Sequence, residues 1–154
     1  MTPSIHVRDA RADDIAAIEA VIRSTGLFTP EEADGFAATL PGHFDGLRDS
    51  AWFVTEDGSG AAHLAPEPGL GVWNLLFIGV RPEARRRGAA RALIGEVERL
   101  LRRDGARMLL IDTSTEPRME AARQTYARLG YEPVATIPDY WGPGDGKLTF
   151  RRVL

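Results

Sequence analysis

Residues 73–103 leave the chain little choice. Trp73, Asn74, Leu75, Leu76, Phe77, Ile78, Gly79 and Val80 form a run rich in β-formers, long enough for a strand buried on both faces. Further on, Ala90, Leu93, Ile94, Val97, Leu100 and Leu101 follow the spacing of an amphipathic helix that runs to residue 103. Between the two lies Arg81-Pro82-Glu83-Ala84-Arg85-Arg86-Arg87-Gly88-Ala89-Ala90, a turn with three consecutive arginines closed by a glycine. A strand that feeds a tight turn and a helix points the helix's first free N–H groups beyond the strand end. Those groups, the helix dipole and nearby guanidinium groups favour an anion, above all a phosphate or diphosphate. Gly88 has no Cβ and lets the backbone approach closely, while Ala89 and Ala90 keep the first turn small and helical. The competing reading of this turn is a solvated basic helix start.

The rest of the chain alternates strand and helix patterns. Residues 4–8 read as a short strand, and Asp13 and Asp14 open a helix striped by Ile15, Ile18, Val21 and Ile22 that stops at Gly26. Thr29, Pro30 and Glu32 have the form of an N-cap, a first-turn proline and a capping box, predicting a helix to about Leu40, before Pro41-Gly42. The stretch from His43 to Ser50 is left open. Residues 51–55 and 61–64 read as a hairpin around Glu56-Asp57-Gly58-Ser59-Gly60, and residues 65–69 as a loop. Residues 108–111 read as a buried strand and 112–117 as a loop. Residues 118–129 read as a helix with Ala122, Tyr126 and Leu129 on one side, ended by Gly130. Residues 131–137 and 147–153 are the last two strands, joined by a loop over 138–146. Interleaved strands and helices predict an α/β sandwich of order β-α-α-β-β-β-α-β-α-β-β, and no linker or repeat divides residues 1–154, so one domain is expected.

Arg85-x-x-Gly88-x-Ala90, preceded by a buried strand and followed by a helix, resembles the coenzyme A pyrophosphate motif of the GCN5-related N-acetyltransferases (GNAT). Tyr126-Ala127-Arg128-Leu129-Gly130-Tyr131 resembles that family's Y-x-x-x-G-F/Y at the end of its fourth helix. The resemblance covers nearly the whole chain and implies the GNAT fold, a central mixed, mostly antiparallel sheet flanked by helices. It implies acetyl-CoA as cosubstrate, with backbone groups at Ile78, Gly79 and Val80 beside the pantetheine arm and residues Arg85, Arg86, Arg87, Gly88, Ala89 and Ala90 around the pyrophosphate. It implies that the Tyr126 hydroxyl lies near the thioester sulfur and protonates the departing thiolate. A phenol of ordinary pKa about 10 gives a proton to a thiolate of about 8.5 only slightly uphill. The alternative for Tyr126 is a ring packed on the apolar face of its helix.

Two positions depart from the family. Where it often has an asparagine against pantetheine, this chain has Met119, and where it often has a carboxylate base, this chain has Asn74. An amide takes no proton at neutral pH but accepts a hydrogen bond and positions water. Glu56, His43, Asp139 and Asp145 are stand-ins for the base, each also readable as an ordinary surface or turn residue. Asp139-Tyr140-Trp141-Gly142-Pro143-Gly144-Asp145 pairs aromatics with carboxylates in a Gly/Pro-shaped segment, suited to a cationic amine or simply to a hairpin connection.

The resulting expectation is an acetyl-CoA-dependent N-acetyltransferase acting on a small-molecule or peptide primary amine by direct attack in a ternary complex. A CoA-binding regulatory module of the same fold, without turnover, is the alternative. Nucleic-acid binding through Arg85–Arg87 and Arg102-Arg103 is disfavoured by the net charge of −3 and by the lack of aromatics among the arginines. Without cysteine there is no disulfide, thiolate catalysis or cysteine metal site, and no metal is expected. No apolar run is long enough to cross a membrane, and residues 1–5 carry no leader pattern, so a cytoplasmic protein is expected. The oligomeric state is left open, a homodimer included.

Overall fold

The computed structural model describes residues 4–45 and 50–154. Among the described residues seven strands form one mixed sheet of order β1-β2-β3-β4-β5-β7-β6, flanked by helices. The strands are β1 (Val7–Asp9), β2 (Ala51–Thr55), β3 (Gly60–Pro66), β4 (Val72–Val80), β5 (Met108–Ser114), β6 (Glu132–Gly142) and β7 (Asp145–Val153). The helices are α1 (Ile15–Ser24), α2 (Pro30–Ala38), α3 (Leu40–Phe44), α4 (Ala89–Arg103) and α5 (Glu120–Arg128). β4 and β5 pair in parallel, whereas β1–β2, β2–β3, β5–β7 and β6–β7 are antiparallel.

The chain divides into two compact units, the first within Met1–Ala65 and Phe77–Leu100. Its core joins Ile18, Val21 and Ile22 of α1 to Trp52, Val54, Ala61 and Phe77 of the strands, with Phe28 and Phe36 packed alongside. Each such side chain contributes about 1.5–3 kcal/mol by leaving water. The capping box expected at Thr29 is formed: Glu32 N–H donates to Thr29 Oγ1 at 3.2 Å and Thr29 N–H to Glu32 Oε2 at 2.8 Å. The chain does not stop being helical at Pro41. Proline fits the first turn of a helix, and Pro41 stands in the first turn of the new helix α3. Of the stretch the sequence leaves open, His43 and Phe44 belong to α3, and residues 46–49 lie outside the described residues.

The second unit lies within Pro66–Leu76 and Leu101–Leu154. Here β5 runs three residues beyond the expected Ile111, so Asp112 is a strand residue and not a loop residue. The register Leu110↔Arg151, Asp112↔Thr149 and Ser114↔Lys147, together with Asn74↔Leu110, sets Asn74, Asp112, Lys147, Thr149 and Arg151 on one face. Leu75, Leu109, Ile111 and Phe150 lie buried on the other. The long loop expected over residues 138–146 is also largely strand. β6 continues to Gly142 and the turn itself is Pro143-Gly144, with Gly144 at φ +80 as a proline-glycine turn requires. The extra residues are taken up by a register shift between Ile137 and Gly142, where Asp139 adopts φ +56 and its Oδ1 accepts the Gly144 N–H at 2.7 Å.

The β2–β3 hairpin is closed by Asp57, whose Oδ1 accepts from Ser59 Oγ (2.7 Å), Ser59 N–H (3.0 Å) and Thr55 Oγ1 (2.8 Å). These hydrogen bonds, that of the Ser59 hydroxyl foremost, hold its carboxyl below the ordinary 3.8. A depressed folded-state pKa makes the contribution whole above the unfolded value and lost as pH falls through the folded one. Asp57→Ala should therefore cost about 1 kcal/mol at neutral pH. In urea melts the gap to wild type should close as pH drops below the carboxylate range; a gap independent of pH would remove the charge from the explanation.

Candidate functional site

In the first unit, β4 ends at Val80 and a 3-10 turn, Pro82–Ala84, leads to Arg85. Arg85 folds back on the strand, its Nε donating to the Val80 carbonyl at 3.2 Å. Arg86 follows at φ +62, a left-handed conformation that costs a residue with a Cβ roughly 1 kcal/mol or more. Gly88 follows at φ +87, and a Cβ built there meets no atom within 4 Å. The first intrahelical bond of α4 runs from Ala92 N–H to the Gly88 carbonyl at 2.9 Å, so the amides of Ala89, Ala90 and Arg91 precede the helix's own ladder. No acidic residue stands in this first turn. Arg85, Arg86, Arg87 and Gly88 are exposed, and Ser4, Ile5, Arg87, Gly88, Arg91 and Ala92 line an open depression of about 360 Å³ beside them. Guanidinium groups, helix amides and open space at Gly88 fit a diphosphate.

Ile78, Gly79 and Val80 lie past the last paired residues of the β4–β5 ladder, Leu75↔Ile111. Gly79 has a packing duty in addition. A Cβ there would fall 2.7 Å from Phe77 Cζ, 2.9 Å from Thr25 Cγ2 and 3.1 Å from Val21 Cγ1, so only glycine lets α1 lie this close to β4.

In the second unit, Tyr126 lies on the inner face of α5, 6% exposed, with its ring edge-on to Phe150 at 5.6 Å between centroids. Burial pushes its phenol up to about 12. Met119 occupies the N-cap position of α5.

Asn74 is 3% exposed, and its Nδ2 donates twice: to Glu67 Oε1 at 2.9 Å and to Asp112 Oδ2 at 3.0 Å. Facing two acceptors, the carboxamide can only present its NH₂ side, which fixes the amide's orientation. Asp112 Oδ1 also accepts from Thr149 Oγ1 at 2.6 Å, and Lys147 Nζ stands 3.9 Å from Asp112 Oδ2 and 4.2 Å from the centre of the Tyr140 ring. Two carboxylates from elsewhere in the sequence thus meet at the Asn74 amide. In the sequence Asp112 has the character of a loop residue and Glu67 lies in a Pro/Gly-rich connection; only the folded arrangement of the strands brings them to one amide.

The stand-in bases are engaged elsewhere or remote in kind. His43 Nδ1 bonds Ser50 Oγ at 2.7 Å and its ring packs edge-on to His63 and Trp52. Asp139 caps the last hairpin, Asp145 bonds the Ser114 hydroxyl, and Glu56 is exposed on the β2–β3 turn. Tyr140 and Trp141 remain half-exposed, with Trp141 Nε1 donating to the Thr113 carbonyl at 3.3 Å.

A raised phenol pKa has a consequence for stability. The contribution is complete below the unfolded value of 10.0 and is lost as pH rises toward about 12, because the unfolded chain releases its proton first. Over that window wild type should lose on the order of 3 kcal/mol that Tyr126→Phe does not. Urea melts of both forms at stepped alkaline pH measure this, and parallel curves would mean that the hydroxyl is solvated.

The family profile for the acetyltransferase (GNAT) family matches residues 19–131. No curated protein matches the sequence. Among solved structures, a protein assigned to the GNAT acetyltransferases from Desulfovibrio desulfuricans superposes with a TM-score of 0.89 at 29% identity, over 97% of this chain and 99% of that one. The protein yncA of Salmonella typhimurium, solved with its cofactor acetyl-CoA, gives 0.76 at 18% identity over 99% and 95% of the two chains. An aminoglycoside 6'-N-acetyltransferase complexed with coenzyme A gives 0.76 at 13% identity over 96% of each, and these last two likenesses concern the fold.

Proposed function

From the premise that the chain belongs to the acetyltransferase (GNAT) family, we propose that it transfers an acetyl group from acetyl-CoA to a primary amine. The observation that carries this reading is the turn from β4 into α4. A left-handed Arg86, an open Gly88 and the leading amides of α4 stand ready for a diphosphate before any ligand arrives. Strain held at Arg86 by its surroundings is the kind of cost a binding turn carries.

Bound acetyl-CoA supplies an activated acetyl thioester; the chain supplies everything else. Arg85 to Ala90 hold the diphosphate, and backbone groups at Ile78, Gly79 and Val80, free of the β4–β5 ladder, are available to the pantetheine arm. Tyr126 is the proton donor to the leaving sulfur. With a pKa of about 12 it is fully protonated at working pH. The same value makes the transfer to a thiolate of about 8.5 uphill by roughly 5 kcal/mol in the resting site, more than an unperturbed phenol would face. The proton therefore moves only once negative charge has developed on sulfur, or once the bound ligands have changed the phenol's surroundings. Asn74 positions groups and takes no proton.

A panel of amines tests the activity, with calorimetry of acetyl-CoA binding beside a thiol-release assay. Binding with thiol release that depends on a primary amine supports acetyl transfer. Binding with no release across small amines, polyamines, amino acids and peptide N-termini would favour a CoA-binding module.

Gly88→Val should weaken acetyl-CoA binding strongly, since its side chain enters the open space at the turn and its branched Cβ is strained at φ +87; a thermal melt checks that the variant is folded. Unchanged affinity in a folded variant would clear the turn of the pyrophosphate role. Tyr126→Phe should lower the rate of chemistry roughly 10²–10⁴-fold with cofactor affinity kept. Near-normal single-turnover rates would reduce the tyrosine to packing.

A further inference from the structure

Within the second unit, residues 114–116 at the end of β5 are tied to two other elements at once. The Ser114 carbonyl accepts from Arg123 Nη1 of α5 at 2.7 Å, and the Glu116 carbonyl accepts from the same nitrogen at 2.8 Å. The Ser114 hydroxyl donates to Asp145 Oδ1 at the start of β7 and accepts the Glu116 N–H at 3.0 Å. Thr115 adds a second link to β7: its N–H donates to the Gly146 carbonyl at 3.0 Å, and its Oγ1 accepts the Gly146 N–H at 2.9 Å. The approach is so close that a Cβ at Gly146 would lie 3.2 Å from Thr115 Oγ1 and from the Ile137 carbonyl oxygen. The connection that leads from β5 into α5 is therefore held from both sides.

α5 depends on such an attachment. It has nine residues, too few for a helix to stand alone in water, and Met119 at its N-cap position supplies no side-chain cap. Thr125 and Arg128 spend their side-chain bonds inside the helix, on the Ala121 carbonyl at 3.0 Å and the Gln124 carbonyl at 3.3 Å. Among the described residues, Arg123 is the α5 side chain whose hydrogen bonds leave the helix. Tyr126 stands three positions further on, a neighbour on the helix surface. Its ring packs edge-on against Phe150, and an apolar contact of this kind is weakly directional. Hydrogen bonds from a guanidinium are short and directional, so the Arg123 pair sets the rotation of α5 that the ring contact leaves open.

We propose that Arg123 is a positioning residue for the transfer reaction: bound to the Ser114 and Glu116 carbonyls, it fixes α5 and with it the place of the Tyr126 hydroxyl. Ser114, held by Asp145, is the anchor of this tether. The proposal rests on the reading of Tyr126 as proton donor to the leaving sulfur. A proton donor has to come within hydrogen-bond reach of its acceptor, and a misplacement of about 1 Å costs up to about 10²-fold in rate. Arg123 itself touches no reacting atom. Both of its bonds start from one nitrogen, so a lysine ammonium, with three N–H donors on a stem one bond shorter, replaces it in part. Methionine keeps an apolar stem and offers no donor.

Two measurements on the full chain test this, with Arg123→Met, Arg123→Lys and Ser114→Ala each checked for folding by a thermal melt. The first needs no activity. Tyrosines isotope-labelled at Cζ are titrated by NMR, the Tyr126 signal being the one missing from Tyr126→Phe. In wild type this phenol should titrate at about 12. In Arg123→Met, where a loosened α5 admits water, it should titrate about one pH unit earlier. Arg123→Lys should return toward wild type, and Ser114→Ala should fall between. A Tyr126 titration unmoved in Arg123→Met overturns the proposal; should that variant not fold, an unmoved titration in Ser114→Ala does so. The second is a double-mutant cycle on single-turnover rates with one acceptor from the amine panel. Arg123→Met should lose roughly 10–10²-fold with acetyl-CoA affinity kept, and should cost nothing further when added to Tyr126→Phe. An equal loss in both backgrounds would make Arg123 merely structural and overturn its positioning role. Wild-type rates in Tyr126→Phe would remove the proton-donor reading and the catalytic part of the tether together. No acetylation by wild type would remove acetyl transfer, while the titration still decides whether Arg123 places the hydroxyl.

Discussion

Neighbouring strands that run the same way cannot be joined by a tight turn, and β4 and β5 are such a pair. The chain has to leave β4 at one end and enter β5 at the other, and α4, fifteen residues long, makes that journey. Where the crossover helix begins is therefore dictated by where β4 stops. Its unbonded amides gather just beyond Val80, and the residues between need only add charge and permissive backbone to make a place for an anion. The Arg85–Gly88 turn is the corner that a parallel pair demands, and here it is basic and exposed.

β4 meets opposite requirements along its nine residues. Near its start, Asn74 is a buried polar group whose NH₂ donates to acids from either side in sequence. Near its end, Gly79 carries no side chain because α1 occupies the space. Between them Leu75 and Phe77 are buried in the ordinary way. The apolar character of the strand secures its place, while its two exceptions to that character serve other ends. This is the pattern expected where local consistency gives way to a site.

Much of this architecture is legible before any coordinates. The β4–turn–α4 succession, the capping box at Thr29, β2 and the helix bearing Tyr126 all follow from periodicity and punctuation acting over a few residues. Misreadings arise where a distant partner decides. Proline and glycine at 41–42 look like a stop, yet proline in a first turn also starts a helix, and α3 takes that option. Residues 138–142 contain a proline, a left-handed Asp139 and glycine, which argue for a loop. Pairing with β7 on both sides of the register shift nevertheless keeps them in the strand. Asp112 reads as the start of a loop because it is charged, but Thr149 opposite it extends the ladder and receives its carboxylate. The convergence of Glu67 and Asp112 on Asn74 spans connections that no local pattern encodes.

An amide that spends both hydrogens on carboxylates also ties three positions into one inherited unit. Aspartate has nearly the shape of asparagine, but at position 74 it would set a third negative charge against two others and offer them no proton to share. An acid could enter there only as one of its neighbours became an amide, so that the count of two carboxylates and one donor is preserved while its members exchange places. Chains descended from this one are therefore expected to shuffle acid and amide among positions 67, 74 and 112 together, and the apparent loss of a carboxylate at any single one of them says little about whether the trio has lost its charge.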